Sequence, residues 1–328
     1  MSAGTTKAGS TRFKLNTGSE IPALGFGTWQ DPESQEAAVR EAINTGYRGI
    51  DTARVYGTEK AVGKAIRESG VPQNQLFVTT KLWNNKHHPD DVAEALDDSL
   101  KDLGLDYVDL FLMHYPIAWK RGTDPFPKEN GKPALIDVDF VDTYKAMEKL
   151  LKTGKVKAIG ISNFSQAEME HLLKNVSVVP AVHQMEVHPW LQQKAFADWH
   201  KQRGIHVTQY SPFGNQNETY SGPTKIGKMI EDPILNEIGK KYGKTGAQVA
   251  LAWGISQGHS VLPKSKTPSR IKQNLEGDFI LSKEDIDKIA TIDKKLRFND
   301  SSSDFGYELF ADLEGKNATG VERTGVTD

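Results

Sequence analysis

The chain has 328 residues, with 41 basic and 43 acidic side chains and a net charge of −2, so no overall field draws it to nucleic acid or an anionic membrane. It has no cysteine, which excludes disulfides, thiol nucleophiles and cysteine-ligated metals. The opening MSAGTTKAGSTRFKL lacks the apolar core of a signal peptide, and no run is long and apolar enough to span a bilayer, so a cytoplasmic protein is expected. Two glycosylation triplets, at Asn163 and Asn217, are then chance matches.

Taken in order, Arg12 to Leu24 holds two short apolar stretches around Asn16-Thr17-Gly18 and predicts a hairpin. After it one unit recurs: a short β-rich run, a polar residue at its end, then an amphipathic helix. The strands expected are Leu24–Thr28, Tyr47–Asp51, Leu76–Thr80, Tyr107–Met113, Val156–Ile161, Val179–Gln184, His206–Gln209 and Ser260–Leu262. The helices expected between them are Glu33–Asn44, Thr58–Ser69, Pro89–Leu103, Val141–Lys152, Gln166–Leu173, Gln192–Gln202, Thr245–Ser256 and Pro268–Leu275. Thr58 and Thr267 are the expected N-caps of the second and last of these, and Gly70 the stop of the second. Eight strands each followed by a helix predict an α/β fold, a closed (β/α)8 TIM barrel formed as one domain over residues 1–328. Residues 1–11 and about 316–328 are expected to be flexible ends.

Three stretches break the pattern. Trp119–Pro133 and Ser211–Asp232 are long loops, expected to act as lids on the C-terminal face. The tail from Leu296 carries Phe298, Phe305, Tyr307 and Phe310 without a helical period, and is expected to fold back over a binding face.

Lining up the strand ends is informative, because in a barrel they meet on one rim. They present Trp29, Asp51 with Tyr56, Lys81, His114, Ser162 with Asn163, Gln184, Tyr210 with Ser211, and Lys264 with Ser265. A phenol beside a carboxylate does little alone, since Tyr holds its proton to about pH 10. Lys81 supplies a cation that favours phenolate, and Asp51 would hold that cation charged. His114 could donate a hydrogen bond to a substrate oxygen. Together the four fit a proton donor for a carbonyl under reduction. Each alone fits a bland reading better: Lys81 a solvated charge, Asp51–Lys81 a structural ion pair, His114 a core histidine. Their convergence favours chemistry, because burying three ionisable groups for stability alone is unfavourable. A metal site is disfavoured, as His87, His88, His183 and His188 lack the spacing of a ligand set.

The second signal is Ser260 to Asn274, where Thr267 and Pro268 open a helix beside Lys264, Ser265, Lys266 and Arg270. A helix N-terminus flanked by cations suits a phosphate. Gly25 to Gln30 holds only two of the three glycines of a Rossmann fingerprint and lacks its strand–helix context. Any nicotinamide cofactor would bind without a Rossmann domain.

These residues carry a resemblance. GYRGIDTARVYGTEKAVG at Gly46, MEKLLKTGKVKAIGISNF at Met147 and VLPKSKTPSRIKQN at Val261 are similar to the three signatures of the aldo-keto reductases, and the chain resembles that family from Phe13 to Gly315. The resemblance implies a (β/α)8 barrel with NADPH or NADP+ extended across its C-terminal face, and a catalytic tetrad of Asp51, Tyr56, Lys81 and His114. It implies that Gly27, Thr28 and Trp29 border the cofactor, and that Ser162, Asn163 and Gln184 hold the nicotinamide carboxamide. Tyr210 would stack on the ring, and Ser211 with its loop would clasp the pyrophosphate. Lys264, Ser265, Arg270, Gln273 and Asn274 would face the adenosine 2′-phosphate and adenine. The substrate, a small carbonyl compound, would lie among Trp29, Tyr56, Trp83, His114, Tyr115, Trp119 and Phe126.

Three positions depart from the family pattern. Tyr115 stands where many members have Trp, and Gln273 where an acidic residue often contacts adenine. The first signature reads YGTE in place of the commoner Asn or Ser form, a change read as silent. The tail RFNDSSSDFGYELFADLEG is similar to fungal glycerol dehydrogenases and glyceraldehyde reductases of the family. The expectation is an NADPH-dependent aldehyde reductase, monomeric or a weak dimer; a non-catalytic NADP(H)-binding barrel subunit is the alternative, disfavoured by the intact tetrad.

Overall fold

A computed structural model describes residues 7–216 and 226–315. Part of the second long loop (217–225) and, of the ends expected to be flexible at 1–11 and about 316–328, residues 1–6 and 316–328 lie outside the described residues. The predicted hairpin pairs Arg12–Lys14 with Glu20–Pro22 antiparallel. Gly18 takes φ 87 and donates its N–H to Leu15 O at 2.9 Å, a three-residue turn that needs a glycine in the left-handed region.

Eight parallel strands follow: β1 (Gly25–Gly27), β2 (Gly49–Asp51), β3 (Phe77–Leu82), β4 (Val108–Met113), β5 (Val156–Ser162), β6 (Val182–Glu186), β7 (His206–Tyr210) and β8 (Ser260–Val261). Each pairs with its successor. A parallel bridge from Leu24 to Val261 joins the first to the last, with Val261 N–H donating to Ala23 O at 2.8 Å. This is the (β/α)8 barrel. β3 and β4 are buried at every position, as strands covered on both faces must be. Below Asp51 and Gln184 the barrel axis keeps a void of only about 20 Å3, lined in part by Gly25, Gly49 and Ile50, so the interior is packed and the usable face is the rim.

The helices around the barrel are α1 (Gln35–Thr45), α2 (Glu59–Glu68), α3 (Val92–Leu103), α4 (Phe140–Leu150), α5 (Gln166–Asn175), α6 (Lys194–Lys201), α7 (Pro233–Tyr242), α8 (Gly246–Ser256), α9 (Pro268–Leu275), α10 (Lys283–Ala290) and the short α11 (Ser302–Phe305). A Cβ on Gly63 of α2 would meet Leu103 O at 1.9 Å, so that glycine allows α2 to approach α3. Two expected caps are corrected. Thr58 and Thr267 occupy N-cap positions, but neither side chain caps. Thr58 is turned into the interior, where its hydroxyl is buried; at Thr267 the backbone N–H donates to Ser265 Oγ at 3.1 Å.

Helices α7, α10 and α11 were not expected. For α7 the signal was present: Asp232 accepts the Ile234 N–H, Pro233 starts the helix and Gly243 ends it. The loop after β4 is also more ordered than read. Lys128–Glu129 pairs with Lys132–Pro133 across Asn130-Gly131, both with positive φ as a tight hairpin turn requires. Among the described residues no helix is long and apolar enough to cross a membrane.

Candidate active site

The end of β2 and the middle of β3 set the centre. Asp51 closes β2, and the chain makes a 3-10 turn over Arg54–Tyr56 before Gly57, at φ 66, releases it toward α2. Side chains alternate along β3, so Thr80 faces α2 while Lys81 faces the rim. Lys81 Nζ lies 2.5 Å from Asp51 Oδ1, donates to Thr52 O at 2.9 Å and sits 3.5 Å from Tyr56 Oη. His114 follows β4 directly, and its N–H extends the ladder to Leu82 O at 3.1 Å. Its ring meets Tyr56 edge-on at 5.8 Å and stacks on Tyr115 at 5.1 Å. The four residues expected to act together are therefore in one cluster.

The electrostatics refine the expectation. Burial lowers the Lys81 pKa, with Asp51 opposing that shift. Burial and then the charge of Asp51 push the Tyr56 phenol well above its ordinary range. The sequence argument had Lys81 lowering that value. In the fold, Lys81 is engaged first by Asp51, and burial with the Asp51 anion outweighs any lowering of the phenol by the cation. Burial, with the Lys81 charge second, holds His114 well below the usual imidazole range, so its ring is neutral.

Residues matched to the cofactor occupy the adjoining rim. Thr28 donates both N–H and Oγ1 to Asp51 O, at 3.1 and 3.0 Å, with Gly27 and Trp29 either side of it. Asn163, at φ 63, donates to His114 O at 3.0 Å and to Ser162 Oγ at 3.1 Å, and accepts from Tyr210 Oη at 2.6 Å. Gln184 donates to Asp51 Oδ2 at 2.6 Å, which ties it to the tetrad. Ser211 accepts from Asn299 of the tail at 3.2 Å. Further round, Lys264 bonds Asp31 Oδ2 and Lys266 bonds Asp31 Oδ1 at 2.9 Å. Arg270 and Gln273 are exposed on α9, while Ser265 and Asn274 are buried.

The expected substrate wall divides in two. Trp83 and Trp119 are buried and meet edge-on at 5.5 Å; Trp29 and Phe126 are exposed. The tail completes the wall: Phe305 packs on Tyr115 at 4.8 Å, Trp119 at 5.0 Å and Trp83 at 6.0 Å. It is tethered at its root, where buried Glu186 accepts the N–H groups of Phe298 and Asn299, both at 2.8 Å. Asp31, Glu186 and Asn299 are not expected at the rim from the sequence, where nothing marks them; Phe305 belongs to the aperiodic aromatic tail expected to fold back over this face. Among the described residues no group of three or more His, Asp or Glu is placed to hold a metal ion.

A parallel eight-stranded barrel thus carries a buried lysine and carboxylate, with a half-buried phenol beside them, at its C-terminal rim. Residues 23–294 match the Aldo/keto reductase family. The chain is 48% identical over 313 residues to an uncharacterized oxidoreductase of Schizosaccharomyces pombe, covering 94% of this chain and 96% of the relative. It is 42% identical to aldo-keto reductase family 1 member A1 of Sus scrofa and 41% to that of Homo sapiens, each match covering 87% of this chain and 90% of the relative. The chain belongs to the aldo/keto reductase family, and is an NADP-dependent oxidoreductase acting on carbonyl compounds.

Proposed function

We propose that the protein reduces small polar aldehydes of the glyceraldehyde kind, and in reverse oxidises glycerol or related polyols, with Tyr56 as proton donor. The observation that carries the proton-donor role is the Lys81 cation held between Asp51 and Tyr56, beside a neutral His114. Bound NADPH supplies the hydride. Tyr56 is fully protonated at neutral pH, so it has a proton to give as charge develops on the carbonyl oxygen. The phenolate left behind lies 3.5 Å from Lys81 Nζ, which stabilises it until a proton returns from solvent. A neutral His114 can donate one hydrogen bond to the same oxygen and orient it.

The rim residues fit such a cofactor in their chemistry. Ser162, Asn163 and Gln184 offer neutral hydrogen-bonding groups for a carboxamide, Tyr210 a ring to stack on, and Ser211 a hydroxyl for the pyrophosphate. No side chain caps α9, which leaves its first N–H groups without a side-chain acceptor beside Lys264, Ser265 and Arg270, a cationic end suited to the 2′-phosphate. Gln273 and Asn274, one turn on, would meet the adenine. The substrate class rests on the tail's resemblance to fungal glycerol dehydrogenases and glyceraldehyde reductases. Trp29, Trp83, Tyr115, Trp119 and Phe126 would border the substrate, and their aromatic surface suits apolar parts of a ligand as well. A panel of aldehydes assayed by NADPH absorbance tests the reading. Glyceraldehyde should rank high in kcat/KM; a far higher value for sugars or steroid ketones would overturn the substrate class.

A further inference from the structure

Tyr56 and Lys81 are held by different elements, and their mutual contact is weak. The 3.5 Å separation is the outer limit of a hydrogen bond, so it does not fix the turn that carries Tyr56. Something else must. Glu59, the last residue of the YGTE run, is 2% exposed and has no part in the chemistry above. Its Oε1 accepts from Thr80 Oγ1 at 2.6 Å, and its Oε2 accepts from Arg54 Nη1 at 3.1 Å. The same Arg54 nitrogen donates to Asp102 Oδ2 of α3 at 2.5 Å. Arg54 shares the 3-10 turn with Tyr56, and Thr80 directly precedes Lys81 on β3. A buried carboxylate thus joins the turn bearing the phenol to the strand bearing the cation, from the side opposite the rim.

We propose that Glu59, bridging Arg54 and Thr80, is a positioning residue that sets the distance between Tyr56 Oη and Lys81 Nζ. This rests on Tyr56 being the proton donor. The groups facing Lys81 are Asp51, Tyr56 and His114 at the rim, with Glu59 behind the strand; those facing Glu59 are Arg54 and Thr80, with Asp102 and Lys60 beyond. With the clamp released, the turn is free to move, Lys81 no longer sits at a fixed distance from the phenol, and the pH at which the phenol gives up its proton shifts.

The test is Thr80→Val, which keeps the side-chain volume and removes the hydroxyl, with Thr80→Ser as the rescue. Thr80→Val should lower kcat about ten- to a hundredfold, the scale of a small misplacement of a reacting group. It should shift the alkaline limb of kcat and leave the NADPH dissociation constant unchanged. Thr80→Ser should restore both kcat and the pH profile. Glu59→Gln carries the same test if the valine variant does not fold, with the same split between kcat and NADPH affinity. Wild-type kcat and pH profile in Thr80→Val overturn the proposal, as does a loss of NADPH affinity and melting temperature in step with kcat, which marks a purely structural bond. Tyr56→Phe separates the two claims. If it keeps turnover, the donor assignment fails; if it is inactive while Thr80→Val is normal, only the clamp fails.

Discussion

Gln184 Nε2 donates to Asp51 Oδ2 at 2.6 Å while Lys81 Nζ holds Asp51 Oδ1 at 2.5 Å. Both oxygens of this buried carboxylate are thus engaged, one by Lys81 of the proposed proton-transfer cluster and one by a residue proposed to hold the cofactor. Asp51 is the hinge of the electrostatics, and it acts on Tyr56 in the direction opposite to Lys81.

Removing either charge should therefore move the alkaline limb of the rate profile in opposite directions. An acid donor fails as pH rises through its pKa. Lys81→Met leaves the Asp51 anion uncompensated, raises the Tyr56 pKa and moves the limb to higher pH, with turnover lower because the donor is weaker. Asp51→Asn leaves the Lys81 cation uncompensated and moves the limb to lower pH. Shifts of the same sign in both variants would refute this arrangement.

The phosphate end makes a second pair of predictions. Charge-assisted hydrogen bonds contribute about 1.5–3 kcal/mol each, so Arg270→Met should weaken NADPH roughly ten- to a hundredfold. NADH, without the 2′-phosphate, should hardly change. Asp31 already engages Lys264 and Lys266, and must give way before either meets a phosphate. Asp31→Asn keeps a side chain that tolerates the left-handed φ of 53 at that position. It should tighten NADPH by up to about fivefold, the worth of an exposed ion pair. Fluorescence titration of both cofactors measures this; equal losses for NADPH and NADH in Arg270→Met would withdraw the 2′-phosphate assignment.

Buried histidines predict an early onset of acid sensitivity. Burial takes His87 to about 3, His200 to about 4 and His259 to about 3. His200 accepts from His183 at 2.7 Å and donates to Phe196 O at 2.6 Å, while His183 accepts the Phe164 N–H at 3.1 Å. The chain of bonds is complete only with both rings neutral. Below about pH 6.5 the unfolded chain binds protons that these folded rings refuse, so stability falls as pH falls. At about 1.4 kcal/mol per pH unit, each contributes a loss of about 2 kcal/mol by pH 5. Urea midpoints should decline between pH 7 and 5; a flat profile over that range would contradict the assignment.

What was legible in the sequence is what local chemistry dictates. The polar residue ending each apolar run located the rim, and the three signatures carried the family. Partners far apart in the chain were illegible. The bonds Gln184–Asp51 and Lys264–Asp31 span 133 and 233 residues, and no period or cap announces either. Thr58 in the YGTE run reads as a silent change, and Glu59 beside it carries no signal of its own, because Glu59 gains meaning only when β3 brings Thr80 against it. Thr267 was read as a cap from residue type alone, where the fold leaves α9 uncapped.

The central claim is that Tyr56 gives the proton, and Tyr56→Phe tests it most directly, since it keeps the ring and removes only the hydroxyl. Turnover of an aldehyde should fall about 100- to 10,000-fold, the share of general acid catalysis, with NADPH binding by fluorescence titration nearly intact. Wild-type turnover in this variant would contradict the account.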